Sequence, residues 1–210
     1  MRLGVITLGH VHEGELAALT PHLEHLEQLV LDVPFTDPLT KHRAELNRAV
    51  DAASDDWLLI VREREVVDEA IAGEIAAAIR AQTAWGFRIR SVPMYAGKPL
   101  HIGVDEGELR LFHRRHLLRR GDIGVQGTVV RLNNVLRSIS FDSADAHRDY
   151  LAKNGVPHSL LRRLLLFVHH ALVTRAFDRN TLQYLWIEAG YDHEARESGV
   201  GGRESEKSQD

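Results

Sequence analysis

At 210 residues, 44% hydrophobic and 27% charged, the chain has the makeup of a globular protein long enough for one sizeable α/β domain, so disorder is not its default. A formal net charge of −4 removes any general electrostatic case for nucleic-acid binding, and the lack of cysteine excludes disulfides, thiolate zinc sites and cysteine nucleophiles. The opening MRLGVITLGHVHEGE is too short in apolar residues and too polar for a signal peptide, and no run approaches the roughly 20 apolar residues that span a bilayer; a cytoplasmic protein is expected.

In chain order, residues 3–8, LGVITL, read as a buried strand. Residues 13–26 place Leu16, Leu19, Leu23 and Leu26 at helical spacing, with Pro21 breaking the pattern in the middle. QLVLDV, 28–33, is a second strand that runs into PFTDP, a loop built from Pro34, Asp37 and Pro38. Residues 41–53 are helical, with Leu46, Ala49, Val50 and Ala53 on one face, and 57–61 form a third strand. A further amphipathic helix covers 67–80. Strands alternating with helices predict a parallel sheet with crossover connections.

After Trp85 the texture changes. GFRIRSVPMY, PLHIG, GELRLFHRR and GTVVRLNNVLRSISF alternate as strands separated by turn residues, which predicts an antiparallel region from Phe87 to Phe141. Helices are expected over 145–153, 159–177 and 180–189. The tail from Asp192, with no aromatic residue and almost no apolar one, is expected to be disordered. The organisation is thus 1–86, 87–143, a helical 144–191 and a tail, 192–210.

The third strand is written DDWLLIVRERE. Its apolar run suits a strand buried on both faces, and its charges fall at the carboxyl end, where open α/β sheets bind ligands. Read as a solvated run of ion pairs, RERE contributes little, about 0–1 kcal/mol. Read as a site, it raises the question of why two arginines stand there.

Several segments together resemble a known family. LVLDVPFTD is similar to a strand followed by D-x-x-S-T-D, placing Asp32 and Asp37 on the two aspartates. NRAVDAASDDWLLIV is similar to N-x-A-L-x-x-A-x-x-D-W-x-L-x-L, with Asn47, Ala49 and Trp57 in register. ELRLFHRRH matches R-L-F-R-R at Arg110, Leu111 and Phe112; SISFDS resembles H-Y-S-Y-x-S, and RAFDRNTLQYLWIEAGY resembles a closing F-L-D-G-x-x-G-x-x-x-A-x-x-A-Y. In this order, over nearly the whole chain, they resemble a shortened family 2 glycosyltransferase with the GT-A nucleotide-sugar fold, of the bacterial cell-surface polysaccharide or lipopolysaccharide-core type.

The resemblance implies a Rossmann-type, mostly parallel sheet in a nucleotide-binding half (1–86), an antiparallel acceptor-side half (87–143) and C-terminal helices. It implies a nucleotide-sugar donor, a saccharide or lipid-linked acceptor, and no nucleic acid. Asp32 would approach the base, with Asp37, Asn47 and Arg110 in the donor site, and Glu106 or Asp105, just before R-L-F, would take the acceptor proton. Read without the family, those two carboxylates are an acidic turn between strands, and Asp32 is a loop residue capping its own turn.

The family ends its third strand in D-A-D-E, and here Arg62 and Arg64 replace both metal-binding aspartates. Guanidiniums cannot coordinate a divalent cation and would repel one, so no metal cofactor is expected. The arginines either bind the diphosphate themselves, as planar guanidiniums do, or mark a site that has lost catalysis and survives as a saccharide-, nucleotide- or protein-binding module. A third outcome, a metal recruited by Glu63 and Glu65 through a register slip, runs against strand alternation, which points them away from the positions needed. Other departures accompany them: PLTKHRAEL directly joins segments that the family separates by a helix and a strand, V-H-E becomes Val125-Gln126-Gly127, and the histidine of H-Y-S-Y becomes Ser138.

The thirteen histidines include the pairs His10/His12, His22/His25 and His113/His116, but with no H-E-x-x-H and no matched carboxylate they read as surface histidines. No G-x-S-x-G and no phosphate-binding G-x-x-x-x-G-K-[ST] occurs. The segment 159–177, SLLRRLLLFVHHALVTRAF, is a broad apolar helix edged by Arg162, Arg163 and Arg175. It suits a core or homodimer contact, with a peripheral rest on the inner face of an anionic membrane as the alternative.

Overall fold

The computed structural model describes residues 1–34, 38–100, 107–154, 156–157, 159–174 and 178–192. The chain runs β1 (Arg2–Leu8), α1 (Glu13–Leu16), β2 (His25–Leu31), α2 (Arg43–Ala52), β3 (Trp57–Arg62), β4 (Glu65–Val66), α3 (Glu69–Ala81), β5 (Gly86–Tyr95), β6 (Lys98–Pro99), β7 (Glu108–His113), β8 (Val129–Phe141), α4 (Ala144–Asn154), β9 (Val156–Pro157), α5 (Leu160–Thr174), α6 (Arg179–Glu188) and β10 (Tyr191–Asp192). The main sheet has the order β2-β1-β3-β7-β5-β8-β4, with β6 paired to the end of β5. β1 lies parallel to both β2 and β3, and β7 joins β3 antiparallel. The architecture is a Rossmann-like α/β fold with a mixed sheet, as the strand–helix alternation predicts.

Two compact units make up the chain: 1–92 with 104–139, and 93–103 with 140–210. In the first, strand alternation sorts the core onto two faces. Leu3, Val5, Leu59 and Val61 pack under α3 through Ile71, Ile75 and Ile79. Ile6, Leu8, Leu58 and Ile60 pack under α2 through Leu46, Ala49 and Val50. α3 starts where Asp68 caps it, its carboxylate accepting the N–H groups of Ala70 and Ile71 at 3.1 Å each. In the second unit Tyr95, Leu100, Leu151 and Ile187 form a separate small core.

Three local expectations need correction. The helix expected over 13–26 stops at Leu16, continues as a 3-10 turn to His22 around Pro21, and gives way to β2 from His25. Proline supplies no N–H to a helix, whereas His25 and Leu26 gain a parallel partner in Arg2 and Leu3. β2 accordingly ends at Leu31 rather than residue 33. At the other end, Tyr191 and Asp192 pair with Pro157 and Val156 in a two-stranded ribbon that periodicity did not announce. The strand expected at PLHIG from His101 onward, the end of the 159–177 helix and the tail from 193 lie outside the described residues.

Candidate functional site

The strand order 2-1-3 puts the reversal of winding between β1 and β3, and crevices outside the carboxyl ends of strands at such a point are where α/β sheets take ligands. Here that place is filled from within. The Glu63 amide donates to the Leu8 carbonyl at 2.8 Å, and the Gly9 amide to Leu31 at 3.1 Å. Gly9 has φ +77°, a left-handed conformation that favours glycine, and lies against Glu63, whose Cβ is 3.1 Å from where a Cβ of Gly9 would sit. A carboxylate thus lies in the crevice.

Beyond Arg62 the chain turns sharply, with Arg64 at φ +65°, and β4 pairs with β8. The turn folds Glu65 back so that it accepts the Arg62 amide at 2.8 Å. Its carboxylate also accepts from Arg110 Nη1 and Nη2 at 3.3 and 3.2 Å. Arg110 reaches it because of a bulge: Phe87 pairs with Leu111 and Arg88 with Leu109, leaving Arg110 as the extra residue of β7. Glu108 closes the ring, accepting from Arg62 Nη2 at 3.0 and 2.9 Å and lying 3.1 Å from Arg110 Nε. That last contact is close enough for charge attraction but misaligned for a hydrogen bond, since Arg110 Nε has no such partner.

Two guanidiniums and two carboxylates leave the ring with no net charge. Side-chain exposure is 1% for Arg110, 3% for Glu65, 19% for Arg62 and 42% for Glu108. Sequence reasoning singled out the ring's two cations, the buried Arg110 and the half-buried Arg62, but not their pairing with Glu65 and Glu108. The signal for Glu65 was its place three residues after Arg62, across a turn; for Glu108, only its nearness to R-L-F.

The other predicted residues are dispersed. Asp32 is exposed directly after β2, on the carboxyl edge. Arg64 is exposed on the turn, and its carbonyl accepts the Ile139 amide at 2.8 Å. Asn47 faces away from the ring's chemistry: its Nδ2 donates to the Arg119 carbonyl at 3.2 Å, and its own carbonyl accepts from Arg119 at 3.3 Å, clasping the loop after β7 to α2. Asp37, Asp105 and Glu106 lie outside the described residues.

A cavity of about 240 Å³ adjoins the ring, lined by Pro38, Leu39, Thr40, Arg88, Glu108, Leu109, Asp122 and Ile123. It is smaller than the ~300–1,000 Å³ of ordinary ligand pockets and brings two carboxylates against one guanidinium. A larger cleft of about 750 Å³ lies at the opposite, amino-terminal edge, beside Arg2, Asp55 and Trp57, and holds none of the predicted residues. There the buried Asp55 carboxylate is taken by Arg2 Nε at 2.9 Å and His25 Nδ1 at 3.3 Å. Among the described residues no three His, Asp or Glu side chains converge as metal ligands, and no helix is long and apolar enough to cross a membrane.

No family model matches the sequence, and no curated protein matches it either. Among solved structures the chain is similar to S. aureus TarS 1–349, a glycosyltransferase, at a TM-score of 0.36 and 9% identity, over 90% of this chain and 70% of that one. A second structure of S. aureus TarS is matched at a TM-score of 0.37 and 9% identity, over 73% of this chain and 39% of that one. At that level the likeness carries no argument.

Proposed function

We propose that this chain is a glycosyltransferase-like protein, related to enzymes that move a sugar from a nucleotide-sugar donor to a saccharide or lipid-linked acceptor, in which internal ion pairs have taken over the diphosphate seat and catalysis is impaired. The family-like motifs support the relationship. One observation carries the loss: Arg62, at the first metal-binding position of the motif, already donates from Nη2 to both carboxylate oxygens of Glu108. A diphosphate would have to displace that carboxylate and approach a crevice occupied by Glu63, with no net positive charge in the ring to draw it in. A divalent metal would meet a guanidinium where it needs an oxygen ligand. What remains is a binding module for a saccharide or a partner protein.

Calorimetric titration with UDP and GDP, with and without Mn²⁺, tests this reading. The wild-type protein is expected to bind neither nucleotide in either condition, and Glu108→Gln, which uncouples Arg62, to gain metal-independent binding. Tight binding by the wild type that requires Mn²⁺ overturns the proposal. A second reading has one observation behind it: Glu108 is the most exposed member of the ring, able to swing aside and surrender Arg62 to a phosphate. That reading predicts metal-independent binding by the wild type, lost in Arg62→Ala, with Asp32 toward the base and Glu106 or Asp105 as the acceptor base.

A further inference from the structure

α5 uses one side to hold α6. Arg163 donates to the Trp186 carbonyl from Nε and Nη2 at 3.0 and 2.8 Å, and its guanidinium carbon lies 4.1 Å from the centre of the Trp186 ring. Phe167 meets the same ring edge-on, and Ala171 is buried. These three are four residues apart, one stripe of a helix.

Most of the remaining apolar side chains face outward. Leu161, Leu165, Val168 and Leu172 follow one another at intervals of four, three and four, with Leu160 and Leu164 alongside, and all six are between 45% and 73% exposed. Alternating steps of four and three are the seam by which one helix packs on another, each side chain entering a gap between side chains of the partner. At 100° per residue the six cover an arc of about 140° that contains no charged residue; it meets the α6 stripe at Ala171 on the Leu160 side, and His169 and Arg162 border it beyond Leu165. Together they expose on the order of 500 Å², a size that marks interaction sites on single chains. Two such patches face to face bring roughly 1,000 Å², about the threshold for a specific interface.

We infer that two copies of this chain associate by packing α5 against α5 about a twofold axis, seam to seam. An uncharged arc lets identical surfaces meet without like-charge repulsion, and a helix apolar on both sides is a helix meant to be covered on both. A lipid surface fits less well. Helices that rest on membranes carry aromatic anchors and a rim of several basic residues, whereas the aromatic of α5, Phe167, is spent on α6.

Sedimentation equilibrium of the full chain, alone and beside flotation with anionic phosphatidylglycerol vesicles, tests the pairing. The expected result is a species of twice the 23.7 kDa chain mass, with Leu165→Glu weakening dimerisation by about a hundredfold or more because the charge is buried twice across the axis. Leu165 is largely exposed in the single chain, so the variant should keep its circular dichroism melt. Val168→Cys supplies a second readout: the chain has no cysteine of its own, and oxidation is expected to yield a covalent dimer. A chain monomeric at every concentration overturns the inference. So does a dimer indifferent to Leu165→Glu, or a monomer that floats with vesicles.

Discussion

Removing Glu65 tests the ring at its most buried carboxylate. Glu65→Leu deprives Arg110, 1% exposed, of both Nη partners and leaves it only the misaligned contact with Glu108. It also strips the acceptor from the Arg62 amide. Breaking a buried pair from one side costs about 3–5 kcal/mol, and an orphaned amide adds about 1–3 kcal/mol. Glu108 keeps part of the attraction, so a loss of roughly 3–4 kcal/mol is expected, a large share of a typical 5–15 kcal/mol stability. Glu65→Leu combined with Arg110→Met takes both charges out together and leaves Arg62 and Glu108 as a balanced pair. Replacing a buried pair by apolar groups is close to neutral, so the double variant should lose only the Arg62 amide's acceptor, about 1–3 kcal/mol, and be more stable than Glu65→Leu alone. Urea unfolding followed by circular dichroism, run as a double-mutant cycle, measures the difference. A single variant within about 1 kcal/mol of wild type, or a double variant losing the sum of the two singles, would refute the coupling.

Two further predictions concern acid. Glu74 on α3 accepts the amides of Asn133 and Asn134 at 2.8 Å each, and both side-chain amides as well, which fastens β8 to the helix. Burial pushes its carboxyl up, but these bonds outweigh it and hold the group below its ordinary 4.5. Its contribution is therefore complete above 4.5 and fades as the pH falls through the lowered value; Glu74→Ala should cost about 1–3 kcal/mol near neutrality and less in acid, read from urea midpoints. His113 is the opposite kind of ion, packed edge-on to Trp57, Trp85 and His116, with a buried Nδ1 lacking a partner. Burial pulls its imidazole below the usual 6.5. The unfolded chain then takes up the proton first, so stability is full above 6.5 and declines as the pH drops below it. His113→Phe should flatten the midpoint's slope between about pH 7 and 5.

Much of the first unit follows from local chemistry. β1 and β3 are mostly apolar runs that have to be buried on both faces, and α3 carries its own cap at Asp68 and an apolar stripe at Ile71, Ile75 and Ile79. Short-range signals of this kind lie within a turn or two of the residue they control, so the alternation of strands and helices could be read without knowing what packs on what. The same holds for the seam on α5: its periodicity is visible in the letters, although only coordinates show that the side toward α6 is a different one.

The ring could not be read that way. Arg62 meets Glu108 across 46 positions and Arg110 meets Glu65 across 45, and neither spacing carries any periodic mark. The letters alone place arginines at 62 and 64, alternating with Glu63 and Glu65 at the tip of the third strand. The folded chain alone reveals that Arg62 is neutralised by Glu108, because a bulge in β7 and a left-handed turn at Arg64 set the side-chain directions, and both depend on strands that meet after the chain has closed on itself.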